Sequence, residues 1–200
     1  MPSTRVVDIN GLQASPGDHI CVFYRGEAER HRIMLPFLRD GLRAGDKCIC
    51  IVSPADHRCI ESSVLEAGTR GEASDKGSLK LDHFHDTYTR GGAFDRGRMV
   101  EYWRRWGEEN FTGEPRPVGR TVSDMSWAED LFATPVLEDF MAYEAEATRF
   151  ARAYSSVALC LYDIDRFGGN VIIPALRVHP KMLFAGMLLE NPYYLDPDAA

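Results

Sequence analysis

The sequence predicts an α/β domain: a mostly parallel sheet with helices on both faces. Three observations carry this. Apolar strand-like runs alternate with helical patterns over nearly the whole chain. A strand-loop-helix unit stands near the start, where nucleotide-binding folds keep their phosphate loop. And 200 residues, 44% hydrophobic and 26% charged, suit one such domain with a sizeable core.

The elements follow in order. Residues 1–16 read as a polar lead-in closed by Pro16-Gly17. His19–Tyr24 is an apolar strand. Glu27–Leu42 places Ile33, Met34, Phe37, Leu38 and Leu42 on one helical face, with Pro36 inside the pattern. Lys47–Val52 is a buried strand, and Pro54 opens a helix running to about Ala67, stopped by Gly68. A polar link, 69–77, precedes strand Leu79–Phe84 and the polar, aromatic loop His85–Gly92. Asp95 caps a helix over Arg96–Asn110, whose Met99, Tyr102, Trp103 and Trp106 form a core stripe. A proline-rich turn, 112–117, leads to strand Val118–Ser123. A long helix over Pro135–Tyr154, strand Val157–Tyr162, a helix over Val171–Val178 and a strand-like run Lys181–Leu189 complete the chain. Residues 17–195 are expected to form the domain and 196–200 a tail.

Composition excludes several classes. A net charge of −7 and a pI near 5.4 argue against a nucleic-acid surface. No apolar run reaches the length of a membrane span and no signal peptide is evident, so a cytoplasmic protein without membrane contact is expected. Five cysteines, mostly in apolar runs, read as small buried hydrophobes. Cys48-x-Cys50 with His83-x-His85 could form a zinc site in principle, but the paired ligand spacing of such sites is missing, so no metal and no cofactor are expected.

The loop after the first strand, Arg25-Gly26, lacks the glycines and lysine of G-x-x-x-x-G-K-[ST], and Glu27 and Glu29 stand where phosphates would go. No nucleophile-base arrangement occurs either, so no catalytic residue is assigned. In open α/β sheets ligands bind beyond the carboxyl ends of the strands. The candidate ligand-binding residues there are Tyr24, Arg25, His85, Tyr88, Asp124, Trp127, Tyr162 and Asp163, with His19 added from the start of the first strand. This rim of aromatics and carboxylates suits a small, partly apolar molecule. Asp124 and Asp163 each end an apolar strand; they cap the following turn or, in a nucleotide enzyme, hold magnesium.

The series His19-Ile-Cys-x-Phe-Tyr24, Phe37-Leu-x-x-Gly-Leu42-x-x-Gly45-Asp-Lys-Cys, Gly92-x-Phe94-Asp, Met125-x-Trp127, Tyr143-Glu144, Cys160-x-Tyr-Asp163, His179-Pro180 and Asn191-Pro-x-Tyr194 resembles the MEDS family, the sensory domain named from methanogens, methylotrophs and the dichloromethane regulator. The resemblance covers about residues 17–195. It implies a divergent relative of RecA/KaiC-type ATPases with a degenerate phosphate loop. It also implies a sensor of small organic compounds, notably hydrocarbon derivatives, that acts in signal transduction or transcription control. Relatives join DNA-binding, histidine-kinase or anti-sigma-type domains. This chain would be a stand-alone sensor or a piece of a longer protein, signalling to a regulatory partner such as a kinase or anti-sigma-type protein, and could form homo-oligomers. Asp124 departs from the pattern, where Glu is expected. The alternative reading is a nucleotide-binding or NTP-hydrolysing protein with an altered phosphate loop.

Overall fold

The computed structural model describes residues 5–65, 78–112, 116–128, 136–196 and 198–199. Within them nine strands and five α-helices are described. The strands are β1 (Val7–Ile9), β2 (Leu12–Ala14), β3 (His19–Tyr24), β4 (Lys47–Val52), β5 (Ser78–His83), β6 (Gly119–Asp124), β7 (Ser156–Asp163), β8 (Lys181–Phe184) and β9 (Met187–Glu190). The helices are α1 (Gly26–Arg43), α2 (Pro54–Ile60), α3 (Arg96–Asn110), α4 (Val136–Ala153) and α5 (Gly169–Val178).

Seven strands form one sheet in the order β5-β4-β6-β7-β3-β8-β9, parallel from β5 to β8, with β9 antiparallel at the edge. The expected α/β architecture is thus present, and its sheet is mixed. Successive strand residues point to opposite faces. Ile20, Val22, Cys48, Cys50, Val122 and Leu159 pack with the buried face of α1, Ile33, Met34, Phe37 and Leu38. Cys21, Ile49, Ile51, Cys160 and Tyr162 pack with α3, α4 and α5. Cys48 and Cys50 thereby face α1, where Cys50 touches the Met34 sulfur, and among the described residues they join no group able to hold a metal.

Residues 7–14, expected as a polar lead-in, form the β1–β2 hairpin, turned by Asn10 and Gly11 at positive φ. Its Val7, Ile9 and Ala14 are fully buried in the core that α1 shares. The hairpin also explains how Pro36 is accommodated inside α1. A proline cannot donate to the carbonyl four residues back, and the Asn10 side-chain amide donates to that carbonyl, Arg32 O, at 2.7 Å. At the other end of the chain, the apolar run after Pro180 is a hairpin, not one strand: Ala185 and Gly186 both take positive φ and fold β9 back on β8. Asp95 caps α3 as expected, accepting from Arg98 N. The stop at Gly68, the 69–77 link and part of the 112–117 turn lie outside the described residues.

Candidate functional site

The topological switch point lies between β3 and β7, whose following helices α1 and α5 cover opposite faces. The chain closes this crevice with its own groups. Ile164 N donates to Tyr24 O across it, and the exposed Arg25 and Asp165 side chains approach to 3.7 Å. At the start of α1, Glu29 accepts from Arg25 N at 2.8 Å. A carboxylate of the chain therefore already takes up a backbone donor at the place where a phosphate loop would offer its own.

On the α1 face, Tyr24 and Asp124 meet at the strand ends, Tyr24 donating to Asp124 Oδ1 at 3.3 Å. Arg30, from the first turns of α1, joins Asp124 Oδ2 at 2.8 Å and also pairs with Asp56 of α2. Asp56 in turn accepts from Ser53 and contacts His31 Nε2 at 2.9 Å. Burial raises the Asp124 carboxyl above its ordinary value against the pull of Arg30. Burial lowers Arg30, and Asp124 and Asp56 more than reverse it. Tyr24 is pushed up by burial and by Asp124, so it stays a donor. The sequence reading missed Arg30 and Asp56; a cation in the first turns of the helix after β3, opposite a strand-end aspartate, is the signal that could have found them.

On the opposite face, Tyr88 stacks on Trp127, 4.7 Å between ring centroids, and its hydroxyl lies between Ser123 and Tyr143 at 3.1 and 3.0 Å. Phe94 and Phe140 complete this aromatic box, and Trp103 Nε1 donates to Tyr143. Trp127 Nε1 is buried and has no hydrogen-bond partner among the described residues. Asp86, Thr87 and Arg90, from the loop that carries Tyr88, line a cleft of about 240 Å³ against Arg98, Tyr102 and Trp106 of α3.

The predicted residues therefore fall into separate groups. Tyr24 with Asp124, and Tyr88 with Trp127, occupy opposite faces of the same sheet end. Arg25 and His85 are exposed on the rim, His85 beside Phe84 and Thr89. Asp163 caps its own turn, accepting from Asp165 N. Tyr162 is buried on the α5 side, edge-on to His179, and burial raises its hydroxyl far above the ordinary value. His19 stands at the amino end of β3, roughly 16 Å along the strand from Tyr24. There it joins Glu144 of α4, Cys160 of β7 and His179, all fully or nearly fully buried. Burial and the neighbouring His179 pull His19 down to about 4. Burial raises Glu144, but contact with His179 and His19 outweighs it and holds the carboxyl down at about 2.

The carboxyl end of this mostly parallel α/β sheet thus carries a polar network on one face and an aromatic box on the other. Residues 18–180 match the family described as the MEthanogen/methylotroph, DcmR Sensory domain, and the chain belongs to this MEDS family. It is similar to a protein of Methylorubrum extorquens named transcriptional repressor DcmR, with 24% identity over 189 residues, which is 86% of this chain and 61% of that one. The chain thus spans less than two thirds of that relative. Among solved structures it is similar to the ATPase 2 and 3 region of EssC from Geobacillus thermodenitrificans, with 8% identity, a TM-score of 0.44, and coverage of 90% of this chain and 36% of that one. No helix among the described residues is long and apolar enough to cross a membrane.

Proposed function

We propose that the domain is a sensory regulatory module that binds a small organic molecule against the Tyr88–Trp127 wall and passes occupancy to a partner protein. The observation that carries the reading is Trp127: its buried indole N–H has no partner among the described residues, and its ring stacks on Tyr88, whose loop also lines the cleft. An unsatisfied buried donor costs on the order of 1–3 kcal/mol, and a ligand acceptor would relieve it. Aromatic faces supply apolar contact, and Thr87, Arg90 and Arg98 offer a few polar groups, the usual make-up of a small-molecule site. Loop His85–Gly92 carries Tyr88 and part of the cleft, so occupancy would reset its exposed residues, His85 among them. Membership in a sensory family and similarity to a repressor support a regulatory role, with a kinase or anti-sigma-type protein, or a second copy of the chain, as the reader.

The strand order, with β3 central and flanked by β7 and β8, supports a RecA-like ancestry with a degenerate phosphate loop. That ancestry keeps nucleotide binding as the second reading, but Glu27 and Glu29 at the start of α1 oppose an anion there.

A thermal-shift panel separates the two. Short alcohols, methylamines and haloalkanes should stabilise the wild-type chain, by about 2.7 kcal/mol at a hundredfold excess over Kd. The shift should vanish in Trp127→Phe, which keeps the stack and loses the donor. Stabilisation by ATP-Mg and by none of the small organics would overturn the sensory reading.

A further inference from the structure

We propose that His19, Glu144, Cys160 and His179 bind one divalent transition-metal ion, zinc by their donor chemistry. The inference does not rest on the strand-end ligand, because none of these residues forms part of the Tyr88–Trp127 wall.

The four donor atoms converge within 4.8 Å of one another. Glu144 Oε2 is 3.3 Å from His19 Nε2, 3.2 Å from His179 Nε2 and 3.4 Å from Cys160 Sγ, and His19 Nε2 is 3.2 Å from Cys160 Sγ. Ligands at the bond lengths of tetrahedral zinc stand roughly 3.3–3.6 Å apart. The spacing therefore already approximates that of a coordination shell.

The proton inventory points the same way. His179 Nδ1 lies 2.7 Å from Ala175 O, which can only accept, so the ring proton sits on Nδ1. With the proton on Nδ1, Nε2 of the imidazole is left facing the Glu144 carboxylate, and among the described residues it makes no hydrogen bond of good geometry. On the other ring, Thr148 Oγ1 donates to Val178 O and so accepts from His19 Nδ1 at 2.9 Å. His19 Nε2 is thereby turned inward as a lone pair too. Two imidazole nitrogens and a carboxylate converge with only the Cys160 thiol proton to share, an arrangement that favours a positive charge between them. Outer acceptors on both Nδ1 atoms are the arrangement that orients metal-bound histidines.

The charges also balance. A thiolate and a carboxylate neutralise a divalent ion, so the buried site carries no net charge once Cys160 has released its proton to solvent. Glu144 Oε1 is buried with no hydrogen-bond partner among the described residues, so their hydrogen bonds leave the carboxylate half satisfied. Four protein donors and full burial describe a closed site, one that holds elements together and does not present water to a substrate. It would tie β3, α4, β7 and the α5–β8 corner through His19, Glu144, Cys160 and His179. In the other donor group, Glu27, His31 and Asp56, the Asp56 carboxylate is already paired with Arg30.

The test is cobalt and zinc uptake by the full chain after chelation and dialysis, and again when it is refolded with the ion present. The expected result is one equivalent of Co²⁺, a sulfur-to-cobalt charge-transfer band with tetrahedral d–d bands, and displacement by Zn²⁺. Cys160→Ser should lose the charge-transfer band and weaken binding at least roughly tenfold, whereas Cys48→Ser should leave both unchanged. If Cys160→Ser fails to fold, Thr148→Val, which keeps all four ligands, should keep the bands and weaken affinity. A folded wild-type chain that takes up neither ion under both conditions overturns the proposal, as does a charge-transfer band that survives Cys160→Ser.

Discussion

Arg30 pairs with two carboxylates on the α1 face, Asp124 at the end of β6 and Asp56 in α2. Removing one partner of a buried ion pair leaves an uncompensated charge and typically costs about 3–5 kcal/mol. Arg30→Met is expected to cost about 3 kcal/mol at neutral pH in urea unfolding. The pH dependence has a definite sign. Burial already raises Asp124 above 3.8, and loss of Arg30 raises it further. A raised folded pKa means that the folded chain holds more protons than the unfolded one between 3.8 and the folded value. Stability then grows as pH falls through that window. The Arg30→Met deficit should therefore shrink on acidification toward 3.8, with Asp56 and His31 the other titratable neighbours; a deficit that widens would refute the assignment. By the same reasoning Asp124→Asn, which mimics the protonated acid, should cost under about 1 kcal/mol at pH 7, because burial costs the carboxylate more than Arg30 returns.

At the scale of elements, α1 depends on a residue outside it. Asn10→Ala is expected to cost about 0.5–1 kcal/mol. Pro36→Ala restores the amide that Arg32 O lacks, so in that background the Asn10 substitution should cost nothing. A double-mutant cycle reads the coupling, and additive effects would show that Asn10 does not serve that carbonyl. The same hairpin marks where the sequence was legible and where it was not. Helix α3 reads correctly to both ends, because an Asp cap and a strong apolar stripe agree. The β1–β2 hairpin was missed although Asn10-Gly11 is the standard two-residue turn pair; its strands are three residues each, too short for alternation to register. The β8–β9 turn was hidden because Phe184-Ala185-Gly186-Met187 is apolar and reads as continuous strand. The site was half legible for a related reason. Strand ends can be read off a sequence, but which sheet face a terminal side chain joins depends on pleat and register. That is why Tyr24 and Tyr88 were grouped and His19 was placed with them.

For the whole molecule, the family match at 18–180 is narrower than the folding unit. Cutting there removes Val7, Ile9 and Ala14 from the core, the bidentate pairing of Arg5 with buried Asp46, and both strands of the β8–β9 hairpin that cover the outer side of β3. Full burial of a Val or Ile is worth about 1.5–3 kcal/mol each. Against total stabilities of about 5–15 kcal/mol, fragment 18–180 is expected to lack a cooperative unfolding transition that fragment 5–196 retains. Near-ultraviolet circular dichroism during urea titration compares them, and equal midpoints would show that the flanking hairpins are dispensable.

The central place of β3 has a consequence for how the chain comes to be folded at all. Its two sheet neighbours are β7 and β8, so His19 pairs with Ala158 and Ile20 with Lys181. Contacts this distant in sequence slow folding, because loop closure must be met before any pairing rewards it. On the ribosome β3 is made well before either neighbour, and both its edges stay open until β7 and then β8 have been made. Its six buried residues, His-Ile-Cys-Val-Phe-Tyr, include no Asp, Glu, Lys or Arg to deter stray pairing. The interval between making that strand and covering it is the stretch in which this protein is most exposed to aggregation, and where slower synthesis or a missing chaperone would be felt first.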